Sequence, residues 1–243
     1  MASTYKVSDA IAIVSSTAAT KGAENIHTAA DLAMSYLWNA YDWRQSLEDL
    51  QPFYLIPGER DYYNFGAETN VVPADFGGLK HAWIEHATLD GNGSVREEMT
   101  VKKDIPFHEW GGTIWPAEVI SYQPSIPGFR LSSFTPTSIG SPYWWIGGIY
   151  KTRPTKVTGA LATSTTIPWD DVFFPMYVEA LRWKLWQLNG DPRAGTVQVY
   201  PTGSRVFSGQ AGIVHDLIQQ AVQAESNDLG PEQIYPDCSL TDY

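Results

Sequence analysis

The feature that most constrains this chain is helical periodicity at both ends with a strand-and-turn pattern between them. Residues 25–41 carry Ile26, Ala29, Ala30, Ala33, Leu37 and Ala40 at 3–4 spacing, the stripe of a core-facing helix. Phe174, Val178, Leu181, Leu185 and Leu188 repeat that spacing far down the chain, and Tyr177, Trp183 and Trp186 add a second apolar surface. A helix with aromatics on several faces needs several neighbours. The two ends are therefore predicted to share one core, with everything between them inserted.

Shorter signals complete the helical reading. Val7–Ala19 is rich in Ala, with Ile11 and Val14 at helical spacing, Ser8 as the expected N-cap and Gly22 as the stop. Asp170 and Asp171 precede the long aromatic helix, where carboxylates suit the helix dipole, and Pro175 belongs in its first turn. A last helix is predicted over Val206–Ala224, with Ile213, Leu217, Gln220, Val222 and Ala224 near its faces. The Leu181/Leu185/Leu188 stripe is expected to face Ala33 and Leu37.

From Trp43 to Thr158 the pattern is of strands and turns. Phe53–Ile56, the turn Pro57–Asp61 and Tyr62–Phe65 read as strand, turn and strand. His81–Leu89, the Asp90-Gly91-Asn92-Gly93 turn and Val95–Val101 read as a second such pair. Phe129–Leu131 and Tyr143–Tyr150 supply further strands. The fold class is α+β. Residues 1–42 and 167–226 form a helical bundle, and 43–166 an inserted antiparallel β-sandwich or barrel-like domain. Residues 227–243 form an extended C-terminal arm.

That arm has four acidic residues, no basic ones and two prolines. It is too short and polar to build a core, so its ordering is expected to need a partner. Ile234, Tyr235, Leu240 and Tyr243 are its candidate apolar anchors, on a partner protein or a neighbouring subunit.

The remaining composition narrows function. A net charge of −11 argues against a protein that holds nucleic acid by neutralising phosphates. The single cysteine, Cys238, excludes an internal disulfide and a cysteine-based zinc site, as in a protein folded in a reducing cytoplasm. No secretory leader is expected, and no apolar run of about 18 residues exists to span a membrane.

Catalytic patterns are absent from the sequence. There is no Gly-x-Ser-x-Gly elbow, His-Glu-x-x-His or P-loop. His81 and His86 lie five apart, on opposite faces of one strand. His108-Glu109 sits in a Pro/Gly-flanked loop and reads as a polar pair rather than an acid–base site. Glu97-Glu98 and Asp170-Asp171 are adjacent pairs, whereas paired catalytic carboxylates converge from separate elements. Asp90–Gly93 opens like a calcium loop, but the glutamate that should follow is misplaced. Gly147-Gly148 inside a strand pattern marks a bulge or a close backbone contact. No catalytic residue, cofactor or metal is assigned.

The chain is rich in aromatics, at 13% with 10 Trp and 13 Tyr. Trp83, Trp110, Trp115, Trp144 and Trp145 allow a sugar-binding or sugar-cleaving β-sandwich as the alternative reading. Tryptophans in a sandwich more often belong to a core or a subunit interface. Of the adjacent pair Trp144 and Trp145, one faces inward and the other outward.

Ordered along the chain are Trp38-Asn39-Ala40-Tyr41-Asp42-Trp43, Gly58-Glu59-Arg60-Asp61-Tyr62, Phe129-Arg130-Leu131, Ile149-Tyr150-Lys151-Thr152-Arg153-Pro154 and Ile167-Pro168 leading into a helix. This series, over roughly residues 25–190, resembles the head-to-tail adaptor proteins of short-tailed bacteriophages, the upper tail tubular proteins. Each motif is short, so the resemblance rests on their order. It implies a non-enzymatic virion protein at the head–tail junction, made in the bacterial host cytoplasm. Its partners would be the portal protein above, a lower nozzle-type tail protein below, and other copies of itself in a ring of about twelve. Duplex DNA would pass through without specific binding, an acidic lumen repelling its phosphates. Two segments depart from the family outline: turn-rich Gly195–Arg205, where a more compact helix-to-helix link is expected, and an enlarged β region around Ser94–Gly112.

Overall fold

The structure, a computed structural model, describes residues 3–17, 25–63, 71–87, 93–103, 115–123, 128–137, 144–157 and 164–228. It is of mixed α+β type, and the described residues form four α-helices, a curled seven-stranded sheet and a two-stranded sheet. The chain divides into two compact units. One contains residues 1–45 and 154–243, and the other Ser46–Arg153.

The first unit holds α1 (Val7–Thr17), α2 (Ile26–Ala40), α3 (Phe174–Leu188) and α4 (Gly209–Asp228). Residues from all four join one core, among them Val14, Ala33, Leu37, Leu181, Leu185, Val214 and Ile218. The centre of that core is aromatic. Trp169 lies edge-on to Trp38 at 6.0 Å and to Trp43 at 5.9 Å, and tilts against Tyr177 at 6.4 Å. The Tyr177 hydroxyl donates to the Ala30 carbonyl at 3.1 Å, joining α3 to α2. Burial pushes the Tyr177 phenol up, and the Asp31 charge adds to the shift. α3 packs against α1, α2 and α4, which explains why its buried residues lie on more than one face.

Several local expectations are corrected. Ser8 lies inside α1. Lys6 occupies the cap position, and the Asp9 carboxylate reaches back to accept its N–H at 2.8 Å, one half of a capping box. Asp171 does more than face a dipole. Its carboxylate accepts from Ser3 Oγ at 2.7 Å and from Thr4 N and Oγ1 at 2.8 Å each, pinning the N-terminal segment. These bonds, Ser3 first, hold its carboxyl below the ordinary range. Tyr5–Val7 then runs antiparallel to Thr165–Ile167, with Val7 N donating to Thr165 O and Ile167 N to Tyr5 O, each at 3.0 Å. Leu188 does not continue the buried stripe; it is 41% exposed at the end of α3.

The last helix begins at Gly209 and runs to Asp228, three residues later and four residues further than expected. Its buried stripe is Ala211, Val214, Ile218 and Ala221, while Ile213 is exposed. The expected arm therefore loses residues 227 and 228 to α4. Residues 206 and 207 belong to a strand instead.

The second unit holds β1 (Leu47–Tyr54), β2 (Asp61–Tyr63), β3 (Phe76–Ala87), β4 (Ser94–Lys103), β5 (Val119–Gln123), β6 (Gly128–Leu131) and β7 (Trp144–Thr152). The order across the sheet is β1-β7-β3-β4-β5-β6-β2. β3 and β4 pair antiparallel, as their turn signal predicts. β1 and β2 do not pair. They occupy opposite ends of the order, β1 on β7 and β2 on β6. The sheet curls enough to bring these ends into one core. Phe53 of β1 stacks on Phe129 of β6 at 5.7 Å and touches Tyr62 of β2 at 5.3 Å. One junction also departs from the antiparallel expectation, because β4 and β5 run parallel. A parallel neighbour needs a connection longer than a hairpin turn, and the sequence between Lys103 and Val119 has the length for one.

The unit begins and ends at one place. Leu47 pairs with Lys151, and Thr152 Oγ1 donates to the Ser46 carbonyl at 3.2 Å. Of residues 154–166, expected in the β domain, the described ones (154–157 and 164–166) fall in the first unit. Val157 is fully buried in the helical core.

Candidate interaction surfaces

Four anchors expected to meet a partner, Ile234, Tyr235, Leu240 and Tyr243, lie outside the described residues, as do Cys238 and the His108-Glu109 pair. Of the other residues weighed for chemistry, His86 stacks on Trp144 at 4.2 Å, while His81 is exposed one register step from Trp83. Glu97 and Glu98 are exposed on β4. The described residues contain no group of three or more His, Cys, Asp or Glu placed to hold a metal ion. None of their helices is long and apolar enough to cross a membrane.

The sheet of the second unit presents one aromatic and charged row. Cross-strand register aligns Tyr54, Trp145, Glu85 and Arg96 on β1, β7, β3 and β4. Tyr54 is 59% exposed and Trp145 half-buried. Arg96 Nε lies 3.9 Å from Glu85, and Ser94 Oγ also donates to that carboxylate. The next row explains Gly147. A Cβ there would come within 2.5 Å of Trp83 Nε1, so the indole lies directly on the β7 backbone. The Arg96 guanidinium sits 3.9 Å from the Trp83 ring centre. Trp144 is likewise enclosed, between His86 and Trp115 (5.4 Å) on the core side. Trp145 is thus the outward member of the adjacent pair.

The second surface was not foreseen as a structured element. Between α3 and α4, β8 (Val197–Val199) and β9 (Arg205–Phe207) form a hairpin closed by Tyr200–Ser204, with Tyr200 N donating to Ser204 O at 2.9 Å. Its base is built tightly. Thr196 and Ser208 exchange three contacts of 3.0–3.1 Å: Ser208 N to Thr196 O, Thr196 N to Ser208 Oγ, and hydroxyl to hydroxyl. Gly195 has φ +77°, and a Cβ on it would strike the Ser208 carbonyl oxygen at 1.8 Å. Phe207 stacks on His215 of α4 at 4.2 Å. Beyond this fixed base the strands expose their apolar side chains: Val197, Val199, Tyr200 and Val206 are 41–64% exposed. The signal in the sequence was Val197-Gln198-Val199 before, and Val206-Phe207 after, the turn residues Tyr200-Pro201-Thr202-Gly203.

At α3, Lys184 has an unusual setting. Its Nζ lies 3.9 Å from the Trp183 ring centre and 4.6 Å from that of Tyr36, and donates to Gln187 at 3.3 Å. Burial pulls its ammonium down to about 8. In the sheet unit, the Tyr150 phenol lies between Glu48 at 3.0 Å and Asp75 at 3.2 Å. Burial, and then the two carboxylates, push it up.

Comparison of the chain with protein-family models and with curated protein sequences gives no match.

Proposed function

We propose that this chain is a structural subunit of a bacteriophage head-to-tail adaptor ring. It would join the portal to a lower, nozzle-type tail protein, in about twelve copies around a DNA conduit, without enzymatic activity or cofactor. In this reading the two chain ends make a helical bundle and the β domain is inserted into it. The observation that carries the reading is the helical core shared by residues far apart in sequence, with a β unit between them, in the order of the resembling motifs. Those motifs take structural parts. Trp38 and Trp43 enter the central aromatic cluster. Gly58–Tyr62 leads into β2, where Asp61 holds Arg130. Ile149–Pro154 returns the chain to the helices, and Ile167-Pro168 leads to α3.

The carbohydrate alternative loses support where its rings are occupied. Trp83 is covered on both faces, and Trp144 is packed between two other rings.

Mass measurement tests the proposal directly. The purified protein mixed with a portal ring should give a complex with one adaptor copy per site of a closed ring. A single copy, or no complex with any portal of a short-tailed phage, defeats the reading. Deleting 229–243 should leave the subunit folded and weaken its attachment. The free protein should not bind duplex DNA tightly or with steep salt dependence.

A further inference from the structure

We propose that Lys184 of α3 is an acylation site, a nucleophilic amine that takes a small acyl group from an activated carboxylic acid of the acyl phosphate class. This goes beyond the ring reading and does not depend on it.

The first warrant is the setting of the amine. Trp183 and Tyr36 meet edge to face, with ring centres 4.9 Å apart and planes at 77°. Lys184 Nζ sits in the corner they form, 3.9 Å from the Trp183 centre and 4.6 Å from that of Tyr36. An ammonium carries three N–H donors. Its hydrogen-bond acceptor among the described residues is Gln187 Oε1, at 3.3 Å.

The second warrant is the missing counter-charge. Arg60, Arg96 and Arg193 also lie over rings, those of Phe134, Trp83 and Trp186. Each of the three has a carboxylate within reach: Asp61 at 4.0 Å, Glu85 at 3.9 Å and Asp191 at 2.6 Å. Among the described residues no carboxylate lies that close to Lys184 Nζ, and burial is the cause of its lowered pKa. Glu179, on the same helix, is engaged by Arg182 at 2.7 Å and by Gln210. On α2, Asp31 accepts the Val157 N–H. Burial without a counter-charge favours the free base, and a desolvated lysine amine is a nucleophile. The residue is half-buried rather than sealed, so a small reagent reaches it.

The step balances without a redox partner. The Nζ lone pair attacks the acyl carbon and a C–N bond forms. The acyl C–O bond to phosphate breaks, and phosphate leaves with its electron pair. One N–H proton passes to phosphate or solvent. The amide product is neutral and keeps one N–H for Gln187.

Limiting acetyl phosphate on the full-length protein, with mass spectrometry of the labelled peptides, tests this. At pH 7 about one in ten Lys184 side chains is the free base, against well under one in a hundred for an ordinary lysine. Lower basicity weakens the nucleophile in part. Lys184 should therefore label about tenfold faster than Lys102 and Lys103, which are exposed on β4. Its rate should level off above about pH 8, while theirs keep climbing toward 10.5. The proposal is overturned by no acetylation of Lys184, by a rate equal to or below that of Lys102 and Lys103, or by a rate that climbs in parallel with theirs. A preference that persists in urea, where the aromatic corner is gone, overturns it as well.

Discussion

Asp31 accepts the backbone N–H of Val157 at 2.7 Å. This single bond fixes the middle of α2 to the point where the chain, leaving the β unit, rejoins the helical core. Hydrogen bonds to charged groups are among the stronger ones. Asp31→Ala should lower the stability of the helical unit by about 1–3 kcal/mol. Asp31→Asn, which keeps an acceptor oxygen, should cost clearly less. Denaturant unfolding followed by tryptophan fluorescence reads this out, since Trp38, Trp43 and Trp169 report on that core. Equal losses for both variants would show that the bond is not what Asp31 contributes.

Leu185 and Leu188 differ by one turn of α3 and by burial, 3% against 41% exposed. Leu185→Ala should cost about 2–5 kcal/mol, the range for a core truncation that leaves a cavity. Leu188→Ala should stay within about 0.5 kcal/mol. Similar losses at both positions would contradict the placement of the helix face.

Lys184 gives a pH signature. Its pKa is pulled down to about 8 from the ordinary 10.5. Between these values the unfolded chain binds the proton that the folded chain has lost, so stability should rise with pH through this window. Below pH 8 both states are protonated and the burial penalty is fully present. Lys184→Met should therefore raise the melting temperature at pH 7, and its advantage should shrink as pH climbs toward 10.5. The facing Trp183 and Tyr36 rings favour the cation and limit the size of the effect. A variant less stable than wild type at pH 7 would mean that the rings outweigh desolvation.

Gly195→Ala should disrupt the hairpin base, because the new methyl group meets backbone rather than a movable side chain. The positive φ adds strain of its own. Amide exchange across 196–208 should speed up well before the rest of the helical unit is affected. Gly203, also at positive φ but with nothing within 4 Å of an added Cβ, should tolerate the change better.

The helical half was legible because 3.6-residue periodicity is a local signal. The stripe of Ile26, Ala29, Ala30, Ala33 and Leu37 is the stripe that is buried. The error on α4 arose where that signal was weak. Val206 and Phe207 look like the start of an apolar helix, yet Gly209, at φ +59°, separates them from it. In the β unit most strands were legible, though Val119–Gln123 was missed and β1 begins at Leu47 rather than Phe53; their partners were not legible. Phe53–Ile56 and Tyr62–Phe65 sit either side of a good turn, as a hairpin would, but Asp61–Arg130 and Phe53–Phe129 hold the two ends of the sheet in a different arrangement. Pairing of this kind is decided by side chains distant in sequence. The hairpin surface was visible only as a run of turn residues, since exposure of valine is a property of the fold.

Ser46 and Thr152 lie hand in hand at the mouth of the β unit. Seen from the helices, everything from Ser46 to Arg153 is one closed loop whose two ends already touch. The entropy of closing such a loop grows only slowly with its length, and here the inserted unit closes it by its own strand pairing. The entropic cost of the insertion to the helical core is therefore set at this junction more than by the length of the module beyond it.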